Sequence, residues 1–210
     1  MRKVLGKIFF NRPTLTVAQE LLGKFLVRKI GTKTIAVMIT ETEAYDGPHD
    51  KASHASRGLT PRTKVMFGEA GRFYVYFTYG MHWMLNIVTG PKGYPAAVLI
   101  RSGVTYHSPL ITSKLISKLI RGPARLTKYL HVGKSFNGKI AARKTGLWFE
   151  NRGVCINKKD ILAGKRIGVD YAGAWAKKLY NFRFICYTTV SSWHARVRNA
   201  SKSCKLSFHS

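Results

Sequence analysis

Residues 73–91 run for 19 positions without one Asp, Glu, Lys or Arg, inside a chain that is otherwise strongly charged. A run of that length admits two folds: a membrane-spanning helix, which needs roughly 20 apolar residues, or a hairpin buried in a sheet. The pattern favours the hairpin. Thr78, Gly80, His82, Asn86, Thr89 and Pro91 are scattered through it, and its residues alternate as a strand does. Arg72 to Tyr79 reads as one strand, Gly80 as its break, and His82 to Val88 as the returning strand. Period two places Phe73, Val75, Phe77 and Tyr79 on one face and Tyr74, Tyr76 and Thr78 on the other. One face belongs to a core; the other offers tyrosine rings to a cleft, as base stacking requires. Tyr79-Gly80-Met81 at the tip, an aromatic beside a turn glycine and a flexible Met, makes a wedge suited to entering a base stack.

A second strand is written in Thr34 to Tyr45, which is rich in β-branched residues. Alternation groups Val37, Ile39, Glu41, Glu43 and Tyr45 on one face, with neighbours about 6.5–7 Å apart. Asp46-Gly47-Pro48 ends it as a turn. Four of the nine acids, Glu41, Glu43, Asp46 and Asp50, fall within ten residues. Such a cluster in a basic chain is either a solvated strand end with ion pairs or a site of chemistry. The residues alone leave both readings open.

The 210 residues hold 36 Lys+Arg against 9 Asp+Glu, a formal charge of +27. The first hundred residues carry +8 and the remainder +19, so the positive field is concentrated in the C-terminal half. That excess calls for a polyanionic partner, while 45% hydrophobic and 12% aromatic residues exclude a disordered basic tail. The length suits one domain, residues 1–210. Lys7 and Arg12 interrupt any apolar leader core. The three cysteines form no C-x-x-C pair, which argues against a thiolate metal centre and for a reducing compartment.

Elsewhere the sequence predicts a helix over Thr14 to Leu22 and strands at Phe25 to Lys29, Ala96 to Ser102, Leu147 to Phe149 and Val154 to Ile156. Residues 46–71 read as mostly polar loop. An amphipathic helix is expected over Ser108 to Arg121, and Pro123 opens another. Lys114, Lys118, Arg121, Arg125 and Lys128 then form one basic stripe if the two stay in line. Gly133-Lys134-Ser135 is no P-loop, because Lys128 stands where the first glycine is required. His49, Asp50 and His54 are too unspecific a set to assign a metal.

A positive surface, a protruding aromatic tip, stacking rings and a carboxylate together describe an enzyme that takes a base out of the duplex and cleaves its N-glycosidic bond. The alternative is a non-catalytic basic nucleic-acid-binding protein that uses the aromatics for stacking and the acids as surface pairs.

Several segments carry a family resemblance: Glu41-Thr42-Glu43-Ala44-Tyr45-Asp46-Gly47-Pro48, Ala52-Ser53-His54, Thr60-Pro61-Arg62, Met66-Phe67 and Tyr74 to Met81. Asn86-Ile87, Val98-Leu99-Ile100-Arg101, Arg121 to Leu126, Gly133 to Phe136 and Arg166 to Gly173 continue it. In this order and spacing, over roughly residues 8–185, the chain resembles the alkyladenine (3-methyladenine, or methylpurine) DNA glycosylases. The resemblance implies an α+β fold, a single compact domain with a curved antiparallel β-sheet and surrounding helices. It implies a monofunctional, monomeric enzyme without metal or organic cofactor, acting on double-stranded DNA that contains alkylated or deaminated purines and leaving an abasic site. No membrane association is implied, and the location would be cytoplasmic and nucleoid-associated in a bacterium or nuclear in a eukaryote. Carried over by motif position, Glu43 is the general base, and Arg101 and the backbone of Ile167 place the water. Tyr45 and His54 sandwich the flipped base, Tyr76 packs on its edge and Asn86 sits at the pocket floor. Tyr79 intercalates with Met81 beside it, and Thr60, Arg62, Arg125, Lys134 and Gly168 lie near phosphates. The chain departs from the family pattern at Ala174 and Leu179, and from about Cys186 onward.

Overall fold

The computed structural model of the protein describes residues 2–106 and 118–184. Among them, ten strands form one curled antiparallel sheet: β1 (Lys3–Val4), β2 (Phe25–Ile30), β3 (Lys33–Tyr45), β4 (Phe73–Thr78), β5 (His82–Val88), β6 (Ala97–Tyr106), β7 (Leu119–Ile120), β8 (Leu147–Asn151), β9 (Ile161–Gly164) and β10 (Asn181–Phe184). The main order is β1-β8-β2-β3-β6-β5-β4; β7 joins β6, and β10 joins β3 and β9. Three short helices, α1 (Lys7–Phe10), α2 (Thr14–Glu20) and α3 (Pro123–Tyr129), complete the α+β fold expected from the sequence.

The 13-residue β3 is the spine. Its first half pairs with β2, with Met38 opposite Phe25; its second half pairs with β10, with Glu43 opposite Asn181. Along its other edge it pairs with β6, and the register shifts on either side of Glu41. This bulge corrects the expected face. Val37 and Ile39 pack into the main core, and beyond the bulge it is Thr42 and Ala44 that face the same way. Glu41, Glu43 and Tyr45 therefore point to the opposite side, away from Val37 and Ile39. An irregularity of one position flips every later side chain to the other face, and here it lifts two carboxylates out of an apolar core.

Thr42 seals the core side. Its hydroxyl donates to the Ala18 carbonyl at 2.8 Å, one of the last-turn carbonyls of α2 that lacks a helical partner. Gly103 serves the bulge from the facing strand: a Cβ there would lie 2.6 Å from the Met38 carbonyl oxygen and would also strike Val37. Gly103→Ala should lower stability by about 1–3 kcal/mol, read as a lower urea midpoint with an unchanged slope; no change would mean that the two strands need no close approach here.

The uncharged run forms the β4–β5 hairpin. Phe73 and Val75 join Leu85 and Ile87 in the main core, while Tyr74 and Tyr76 lie on the other face. Tyr79 departs from the expected face because it has left the strand: it occupies the turn. Among the described residues no helix is long and apolar enough to cross a membrane. Two further expectations need correction. Leu119–Ile120 is a strand on β6 and Lys118 and Arg121 beside it are not helical; residues 108–117 of the expected helix, Lys114 among them, lie outside the described residues, as does the chain from residue 185. The basic stripe is broken accordingly, since Lys118 precedes β7 and only Arg125 and Lys128 share α3. Val154 to Ile156 is not a strand; Val154 packs on Phe25 and Trp148 from a loop.

Candidate active site

Glu43 is fully buried, yet its carboxylate has four donors. Oε1 accepts from the Ile167 backbone N–H at 2.9 Å and from Asn181 Nδ2 at 3.1 Å. Oε2 accepts from the Tyr45 hydroxyl at 2.9 Å and from Arg101 Nη1 at 3.2 Å. Four donors saturate what an ionised carboxylate can accept, which compensates the cost of burying its charge. The donors come from β3 itself, from β6, from β10 and from the loop after β9.

Glu41 lies on the same face and shares two of these donors. Its Oε1 accepts from Asn181 Nδ2 at 2.9 Å and Arg101 Nε at 3.1 Å, and its Oε2 from the Ser102 hydroxyl at 2.6 Å. Desolvation pushes the Glu41 carboxyl up, but the bonds from Asn181 and Ser102 and the Arg101 charge outweigh it, so the group titrates below its ordinary value. Burial, followed by the Glu43 charge, holds the Tyr45 hydroxyl well above its ordinary range and keeps it a donor.

In front of Glu43 opens a cavity of about 390 Å³ whose walls include Tyr45, His54, Tyr74, Tyr76, Asn86 and Tyr171. That volume suits a small organic group. Glu43 stands behind the wall that Tyr45, Arg101 and Ile167 form. The His54 ring meets Tyr76 edge-on at 4.6 Å between centroids, and Tyr74 lies 5.3 Å from Tyr76. Asn86 Nδ2 donates to the Tyr74 carbonyl at 3.0 Å, which pins the amide in β5.

His54 is held neutral at ordinary pH. Desolvation first, then the Arg62 and Arg57 charges, depress its pKa to about 4. Its Nδ1 lies 2.9 Å from the Tyr74 hydroxyl, within hydrogen-bond distance. Either tautomer of the neutral ring closes this bond, the hydroxyl donating to a bare Nδ1 or accepting from a protonated one.

The loop that delivers Ile167 is clamped from below. Arg166 and Asp50, both fully buried as side chains, form a bidentate pair with Nη2 to Oδ1 at 2.8 Å. Arg166 also donates to the carbonyls of Ala44 and Trp175, and Asp50 accepts the backbone N–H groups of Asp46 and Ala52. Its guanidinium lies 4.8 Å over the Tyr45 ring. Ala52, Val169 and Ala172 add a small apolar cluster between the same two segments.

At the rim, Tyr79 is 79% exposed and Met81 67%. Tyr79 (φ 52°) and Gly80 (φ 64°) both have positive φ, and the Met81 N–H closes the turn on the Thr78 carbonyl at 3.2 Å. Two positive φ values mark a type I′ hairpin turn. Tyrosine in the left-handed region is strained, and such strain gathers at functional sites.

Of the residues singled out from the sequence, Tyr45, His54, Tyr76, Tyr79, Asn86, Arg101, Ile167 and Gly168 line this one cavity, with Glu43 behind it. Met81, Thr60, Arg62, Arg125 and Lys134 do not. Arg62 lies over the Tyr76 ring at 5.0 Å, Thr60 bonds reciprocally with Thr63, and Arg125 and Lys134 are exposed on α3 and on the turn at Lys134–Phe136. Asn181, Ser102 and the Asp50–Arg166 pair were not foreseen.

Residues 8–189 match the methylpurine-DNA glycosylase family along their whole length. The chain belongs to that family. A relative from Methanocella arvoryzae, named a 3-methyladenine DNA glycosylase, is 45% identical over 185 residues, covering 85% of this chain and 91% of its own. One of the same name from Anaeromyxobacter dehalogenans is 41% identical over 182 residues, covering 85% and 82%. Another, from Desulfitobacterium hafniense, is 39% identical over 199 residues, covering 87% and 94%. The chain is thus a DNA glycosylase of the 3-methyladenine or methylpurine type.

Proposed function

We propose that this glycosylase flips an alkylated purine out of duplex DNA into the cavity and hydrolyses its N-glycosidic bond with water activated by Glu43. The observation that carries the reading is the fully buried Glu43 carboxylate behind an aromatic cavity. Its Oε2, bonded to two cavity-wall residues, is where a water exchanges in. The carboxylate takes the water proton as the C1′–O bond forms and the C1′–N bond breaks, and its charge stabilises the cationic sugar. Arg101 holds both carboxylates in place. The Ile167 N–H, 2.9 Å from Glu43 Oε1, helps Arg101 to hold the site in which the water is placed.

The walls supply selectivity. N3- and N7-alkylated purines are cationic, and electron-rich tyrosine faces attract them. Neutral His54 adds a hydrogen-bonding group for neutral lesions such as deaminated purines. Tyr79 fills the gap left in the stack, with Met81 beside it, and Thr60, Arg62, Arg125, Lys134 and Gly168 meet the phosphates. The enzyme works as a monomer, through hydrolysis alone.

Methylated duplex DNA should yield free alkylpurines and alkali-labile abasic sites without direct strand cleavage; unmodified duplex should yield neither. Tyr79→Ser should weaken the flipped state by roughly 1–3 kcal/mol, the worth of one stacked ring, while leaving initial duplex binding nearly intact. A 2-aminopurine reporter beside the lesion checks this. Equal loss in both steps would contradict the wedge.

A further inference from the structure

The Asn181 amide, 2% exposed, sits between two carboxylates. Its Nδ2 spends one hydrogen on Glu41 Oε1 at 2.9 Å and the other on Glu43 Oε1 at 3.1 Å. Cross-strand pairing puts it there, because Asn181 lies directly opposite Glu43 where β10 meets β3. Arg101 makes the matching bridge from β6, with Nε on Glu41 and Nη1 on Glu43. Two carboxylates are thus joined by one cation and one neutral amide, which leaves an uncompensated negative charge.

We propose that Asn181 is a positioning residue that keeps Glu43 unprotonated and aimed at the water by clasping it to Glu41. The inference rests on the proposed role of Glu43 as the base. Two carboxylates this close otherwise share a proton, and a shared proton would sit on the group that must accept one from water. An amide suits the place because it gives two hydrogens and cannot ionise. A carboxylate there would add a third like charge, and an aliphatic side chain would remove both bonds. Among the described residues, the other charged or titratable groups facing the pair are Arg101 from β6, Tyr45 from β3, Tyr76 from β4, which feels the Glu43 charge, and Arg183, opposite Glu41 in β10. Arg166 lies beyond the Tyr45 ring. None of them replaces the bridge, since none bonds both acids except Arg101, which already does.

The test is the pH dependence of single-turnover base release from about pH 5 to about pH 9 for the wild type, Asn181→Leu, Asn181→Asp and the double variant Glu41→Gln/Asn181→Asp. Base catalysis is lost as pH falls, so proton retention by the pair moves the acid limb to higher pH. Asn181→Leu should move it up by about one unit, and Asn181→Asp further. Both should recover rate toward the alkaline end with little change in KM. The double variant restores the count of carboxylates to two and should bring the limb back toward the wild-type position. Asn181→Asp conserves volume, so it and the double variant carry the test even if Asn181→Leu does not fold. A uniform loss at every pH, with no shift and no return in the double variant, would overturn the positioning role while leaving Glu43 as base. Absence of release by the wild type itself would instead overturn the proposed function.

Discussion

Glu43→Gln should bind lesion-containing duplex almost as the wild type does and lose base release by roughly 10²- to 10⁴-fold, the usual worth of a positioned general base. The glutamine fits the same volume and can still accept from Ile167 or Arg101, so the cavity and the protein surface that meets DNA stay intact. What disappears is the acceptor for the water proton and the charge beneath the forming sugar cation. Filter binding or anisotropy reads the first quantity, and chromatography of released base reads the second. Glu41→Gln separates the two acids. It keeps the same face but is bonded to Ser102, so it should retain substantial release. If release survived in Glu43→Gln and vanished in Glu41→Gln, the base would be assigned to the wrong acid.

The largest stability effect should come from Asp50→Ala. Removing one partner of a buried pair leaves a charge with no compensation, at a cost of about 3–5 kcal/mol. Arg166 has little reserve: both of its terminal nitrogens are already committed, and its buried Nε has no partner among the described residues. For a chain of this size that loss lowers Tm by on the order of 10 °C, measurable by calorimetry. Because the pair sets the loop that brings Ile167 to Glu43, activity should fall at temperatures where the variant is still folded. Glu69→Gln, which breaks the exposed Lys7 pair, should leave Tm unchanged. Equal small effects from both would show that the Asp50–Arg166 pair is not what holds the loop.

How legible these features were in the sequence follows from the range over which each is determined. The β4–β5 hairpin could be read because its alternation is local and no charge interrupts it, so Tyr74 and Tyr76 were placed correctly on the cavity face. Tyr79 was not, since a turn ends the alternation one residue earlier. The bulge in β3 leaves no mark in residues 36–45 themselves; its trace is Gly103 on the facing strand, which has meaning only once the pairing is known. Leu119 and Ile120 fit a helical period with Leu115 and Ile116, and pairing with β6 overrides that pattern. Asn181 sits in a short strand without a period of its own, and Asp50 and Arg166 are 116 residues apart. Neither could be found from local pattern. The order of the family motifs found the cavity residues because it encodes such long-range contacts indirectly.

The most direct test of the central claim measures DNA binding and base release in one single-turnover reaction, with a chelator present and one alkylated purine in a duplex. The account predicts tight binding together with stoichiometric release of the alkylated base, an intact strand until alkali is added, and no dependence on added metal. Tight binding to alkylated duplex with no base released from methylpurine, hypoxanthine or etheno-adenine substrates would contradict it and leave a protein that binds nucleic acid without catalysis.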